Sequence, residues 1–98
     1  MTNSYSSIDE MKKANREKGH SWFSKETQEY HGSHVESAVI GGCYFVESSY
    51  RVPGDPDSGR IFRAVGCAPD GTVQYLSGGD TFDSVDAARA YIDGVISD

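Results

Sequence analysis

No stretch of this 98-residue chain is apolar over the about 18 residues that a membrane-crossing helix needs, so no membrane partner is expected. The opening Met-Thr-Asn-Ser-Tyr-Ser-Ser has neither a basic start nor an apolar stretch. It does not read as a secretion signal, and the expected compartment is the cytoplasm, with the first six residues frayed. Cysteine is scarce: Cys43 and Cys67 stand 24 positions apart, with no Cys-x-x-Cys pair. In a cytoplasmic chain they read as buried thiols on different strands, with a disulfide or a redox pair as the alternatives. Internal repeats and low-complexity tracts are absent.

Basic residues are scarce in the second part. Residues 1–30 hold five acids and five bases. Residues 31–98 hold ten acids against Arg51, Arg60, Arg63 and Arg89, and therefore carry the whole net charge of −6. From Ala64 onward the acids are all Asp, with Arg89 as the single base. Such a field repels nucleic acid, so no direct nucleic-acid binding is expected, and it favours a basic partner.

What is present describes one small domain over residues 1–98. An aromatic content of 11% argues against disorder, and the length suffices for one core. The densest apolar stretch is Gly42–Ser49. Alternation puts Cys43, Phe45 and Glu47 on one face and Tyr44, Val46 and Ser48 on the other, so this segment reads as an inner strand covered on both sides. Strands are also predicted over Val35–Ile40, Arg60–Cys67 and Thr72–Leu76. They are joined by a Gly41-Gly42 turn, a Pro/Gly/Asp loop over 50–59 and a Pro69-Asp70-Gly71 turn. Three short connections make an antiparallel meander in the order 1-2-3-4.

Helices are predicted at both ends of the chain. The first runs over Ile8–Lys18, capped by Ser7 with Glu10 completing a capping box and stopped by Gly19. Its apolar face is thin (Ile8, Met11, Ala14), which puts it at the edge of the fold or leaves it waiting for a partner. Trp22 and Phe23 follow, at least one of them filling the core. A short helix over Lys25–His31 is capped by Ser24 and stopped by Gly32. The last helix, Val85–Ile96, is capped by Ser84 or Asp83. Its wide apolar stripe of Val85, Ala88, Tyr91, Ile92, Val95 and Ile96 lies across the sheet, with Asp86, Arg89, Ala90 and Asp93 outward. The fold class is α+β: a four-stranded antiparallel meander with the C-terminal helix on one face and one long plus one short N-terminal helix at the flank.

Motifs that could carry chemistry have simpler readings. His31-x-x-His34, with His20, Cys43 and Cys67, offers zinc-ligand types, but the two histidines straddle a glycine stop. Asp55-x-Asp57-x-Gly59 lacks the glycine position and the terminal Glu of a calcium loop. Ser24 is explained by capping, and no Gly-x-Ser-x-Gly surrounds it. The glycines at 41, 42, 78 and 79 lack phosphate-loop spacing. No catalytic residue, cofactor site or metal site is assigned, and the chain is not expected to be an enzyme.

The segment Lys12-Lys13-Ala14-Asn15-Arg16-Glu17-Lys18-Gly19-His20-Ser21-Trp22-Phe23-Ser24-Lys25-Glu26-Thr27 resembles the opening of a family of short bacteriophage and prophage proteins of uncharacterised function. Its pattern is Lys-x-Ala-Asn-x-x-x-Gly, then a His and an aromatic pair, then a short Thr-containing helix. An aromatic-Phe-Val-x-Ser strand (Tyr44–Ser48), an Asp-Gly turn and a Ser/Thr-capped last helix extend the likeness. The chain departs at Gln28-Glu29-Tyr30-His31, more polar than the family's run, which turns that helix toward solvent or a partner. The resemblance implies a mobile-element context and supplies no chemistry. With the small size and one-sided acidity, it predicts a phage-encoded inhibitor of host defence that acts by binding. The most concrete form is an anti-CRISPR protein that blocks a Cas effector complex by imitating the phosphate backbone in a basic groove. The residues expected to touch that partner are Asp80, Asp83, Asp86 and Asp93, with Trp22 or Tyr30 as an alternative hydrophobic anchor. A phage accessory or structural protein without inhibitory role is the second reading, and a small enzyme or metal protein the third.

Overall fold

The computed structural model describes residues 5–76 and 80–97. The elements are α1 (Ile8–Glu17), α2 (Lys25–His31), β1 (His34–Val35), β2 (Tyr44–Tyr50), β3 (Arg60–Cys67), β4 (Val73–Tyr75) and α3 (Val85–Ser97). The strands form one antiparallel sheet in the order β1-β2-β3-β4. This is the expected α+β meander. Gly78, Gly79 and Asp98 lie outside the described residues.

β2 is the inner strand that its composition predicts, and five successive residues, Phe45 to Ser49, are buried. Its register with β3 pairs Phe45 with Val65 and Val46 with Ala64. Alternation then sends these two pairs to opposite faces. On one face Val46 and Ala64 pack with Ile40, Ala88 and Ile92, and Tyr44, Phe62, Phe82, Val85 and Tyr91 close around them. This is the layer made by α3, whose stripe follows the expected helical spacing except at Ile96, which is 45% exposed.

The N-terminal part does more than flank the sheet. Met11 packs with Phe45, Val65 and Cys67 on the second face, joined by Tyr5, Ile8, Trp22, Phe23 and Val35. Met11 is fully buried, and burying such a side chain is worth roughly 1.5–3 kcal/mol. The thin apolar face of α1 suffices because Trp22 and Phe23 supply the area it lacks. Their rings meet edge-on at 4.6 Å, and both lie against Phe45, at 5.9 and 6.2 Å. Met1–Ser4 lie outside the described residues, whereas Tyr5 and Ser6, expected to fray, are held. Tyr5 N–H donates to Gly42 O at 2.6 Å and its hydroxyl to Ala68 O at 2.6 Å. Ser6 N–H and Oγ both donate to the Glu10 carboxylate.

The helix caps follow the sequence. Ser7 Oγ accepts from Glu10 N–H, Ser24 Oγ from Thr27 N–H and Ser84 Oγ from Ala87 N–H. Gly19 and Gly32 end their helices at φ 81° and 59°, the left-handed region open to glycine.

The first strand is the main correction. Val35–Ile40 was expected to be continuous, yet β1 stops at Val35 and Ile40 rejoins only as an isolated bridge to Tyr44. The chain takes five steps from Val35 to Ile40 while β2 takes three from Glu47 to Tyr44, which makes a bulge. Ser37 is the cause. Its Oγ accepts from Val46 N–H at 2.9 Å and donates to Ala38 O at 2.9 Å. A side chain thus takes the place of a backbone ladder partner.

Candidate functional site

α3 is built so that its chemistry points outward. Ala88 and Ile92 are fully buried against the sheet, and Val85, Tyr91 and Val95 are half-buried beside them. The opposite side carries Asp86, Arg89, Ala90 and Asp93, all exposed. Asp86 and Asp93 stand seven positions apart on one side, two turns along. Arg89 lies three positions after one and four before the other, so it shares that side and breaks the acidic row. Asp80 and Asp83 are exposed ahead of the helix, and Ser84, not Asp83, provides the cap.

Tyr30 lies on α2 and not in this row. It is 58% exposed. Its carbonyl accepts from Gly54 N–H at 2.8 Å, and its ring sits so close to Gly54 that a Cβ there would stand 3.0 Å away. Its edge meets the His31 ring at 5.1 Å. Val52, in the same loop as Gly54, is also 51% exposed. The five expected contact residues therefore lie on two helices and the segment before α3.

The histidines stand apart. His20 Nε2 is 3.3 Å from Thr72 Oγ1, His31 Nδ1 is 3.0 Å from Thr27 O, and His34 is exposed. Among the described residues, no three His, Cys, Asp or Glu side chains converge as metal ligands would.

A second polar cluster lies inside the sheet. Glu47 is 1% exposed. Its Oε2 accepts from Ser33 Oγ at 3.0 Å, and its Oε1 has no hydrogen-bond partner among the described residues. Burial pushes its carboxyl above the usual range, opposed by the Ser33 hydrogen bond and the positive fields of Arg63, His31 and Arg60. Arg63 is its direct cross-strand partner in register, but the Arg63 guanidinium lies over the Tyr75 ring at 4.8 Å and its Nε has no hydrogen-bond partner among the described residues. On the other face of β2, Ser48 Oγ donates to Glu36 Oε2 at 2.6 Å and accepts from Arg60 Nη2 at 2.9 Å. Arg60 also donates to Gly32 O and covers the Tyr50 ring. This network ties the end of α2 to the sheet. The sequence carried its signal: alternation had put Glu47 on the face of Phe45, where a carboxylate is out of place.

No family model, no curated protein and no solved structure matches the chain.

Proposed function

We propose that this protein acts by binding. It is a phage-encoded inhibitor that places the acidic side of α3 in the basic, nucleic-acid-binding groove of a host protein, and a Cas effector complex is the target to test first. The observation that carries the reading is the exposed pair Asp86 and Asp93 on a helix whose other side is locked into the core by Ala88 and Ile92, with exposed Asp83 just ahead of the helix. A helix fixed in this way presents carboxylates at a constant spacing, which favours recognition of a fixed array of Lys and Arg. The resemblance of the opening segment to short phage proteins supplies the host-defence context.

The test is affinity for a Cas effector complex at two salt concentrations, comparing wild type with D83N/D86N/D93N. All three positions are exposed, so the variant should fold. It should associate more slowly and show a flatter dependence of affinity on salt. Equal affinities with equal salt slopes reject imitation of a phosphate backbone. If Tyr30→Ala instead abolishes a salt-independent affinity, the exposed Tyr30 is the anchor and the α3 acids are not. No binding at all removes that effector as the target.

A further inference from the structure

The β2–β3 register, continued one step beyond Tyr44 opposite Gly66, sets Cys43 directly opposite Cys67. The Cys67 N–H donates to Cys43 O at 2.8 Å, so the ladder extends to this pair. Residues directly opposite in an antiparallel pair point to the same face, with Cα atoms about 4.5–5.5 Å apart. A disulfide spans Cα separations of about 4.4–6.8 Å. Both cysteines are free thiols. Cys43 follows two glycines at φ 61° and 85°, a turn whose backbone freedom lets Cys43 settle toward its partner.

Oxidant can reach the pair. A cavity of about 290 Å³ has Cys43 and Cys67 in its wall, with Tyr44, Pro69 and Leu76 around them. Cys43 is half-buried and Cys67 only 3% exposed. We propose that Cys43 and Cys67 form a reversible cross-strand disulfide by exchange with a small disulfide such as oxidised glutathione, with Cys43 the first to attack. The inference is independent of the α3 surface.

The exchange balances. The Cys43 thiolate attacks one sulfur of the glutathione disulfide, whose S–S bond breaks and releases one glutathione thiolate. That thiolate takes up a proton. Cys67 then loses its proton to solvent and attacks the Cys43 sulfur, expelling the second glutathione thiolate. Two protein thiols are oxidised to one disulfide, and one glutathione disulfide is reduced to two thiols. Burial pushes the Cys67 thiol up in pKa, which disfavours it as the first attacker and leaves it the second, intramolecular step. There the Cys43 mixed disulfide stands beside it and a small thiolate fraction suffices.

The folded protein is incubated with excess oxidised glutathione, checked by circular dichroism, denatured with N-ethylmaleimide and weighed by mass spectrometry. Wild type should take up no maleimide and should be lighter than the reduced chain by two hydrogens. Dithiothreitol before quenching should restore two labelled thiols. C67S should stop with one glutathionyl group on Cys43, and C43S should react much more slowly than C67S. Wild type that keeps both thiols, that carries glutathionyl groups without closing, or that links into dimers would overturn the proposal. C43S reacting as fast as C67S would overturn the order of attack.

Discussion

Gly71 is pressed against α1 at Asn15. A Cβ at Gly71 would stand 2.5 Å from Ala14 O and 2.7 Å from Asn15 N, and Gly71 O accepts from Asn15 Nδ2 at 2.7 Å. The Asp-Gly turn before β4 is therefore a dock for the first helix as well as a reversal of the chain.

Two terms act together at Gly71. Its φ of 88° strains any other residue, and no room exists for a side chain. Gly71→Val should cost roughly 2–5 kcal/mol, by strain and by overpacking against backbone that cannot give. Gly19 is the control, since at φ 81° nothing among the described residues lies within 4 Å of its Cβ position. Gly19→Ala should cost about 1 kcal/mol, from strain alone. Thermal melting of the two variants distinguishes them, and equal losses would show that the turn does not touch α1.

Asn15→Ala leaves the Gly71 carbonyl without the amide that it meets at a 1% exposed side chain. The expected loss is roughly 1–3 kcal/mol, the cost of an unsatisfied buried acceptor. Asn15→Asp sets an acceptor against an acceptor and should lose at least as much at neutral pH. Urea unfolding of both variants measures it. An unchanged midpoint for either would contradict the bond.

Met11→Ala tests whether α1 is a true layer. Met11 is fully buried among Phe45, Val65 and Cys67, and such a truncation costs about 2–5 kcal/mol. A loss within about 0.5 kcal/mol, the range of ordinary surface changes, would mean that α1 only rests on the edge.

Glu47 makes stability fall as pH rises. Its folded-state pKa lies above the ordinary carboxyl value, chiefly through burial, so the unfolded chain releases this proton first. The stabilisation is complete below the ordinary carboxyl range. It declines as pH climbs toward the folded-state pKa and stays lost above it. Glu47→Gln carries no charge at any pH. It should melt above wild type at pH 7, and the gap should narrow as pH falls through the ordinary carboxyl range and close by about pH 3, where the wild-type carboxyl is protonated in both states. A pH-independent difference would place the effect in packing and not in the proton.

Local chemistry determined most of the chain's elements. Ser7, Ser24 and Ser84 cap three helices because a serine oxygen meets an unpaired helix N–H wherever the helix lies. Gly19, Gly32, Gly41, Gly42 and Gly71 take positive φ because a missing Cβ is a property of the residue alone. The alternation of β2 and the stripe of α3 announced two faces and one of the layers that cover them. Tertiary structure decided what depends on partners distant in sequence. The sparse face of α1 could not reveal that Trp22 and Phe23 complete its layer. Asn15 has no legible role until Gly71, 56 residues away, is brought to it. Val35–Ile40 looks continuous until Ser37 competes for a ladder hydrogen bond with Val46. Cys43 and Cys67 became a pair only through the register of β2 on β3, because pairing depends on distance in space and sequence records only distance along the chain.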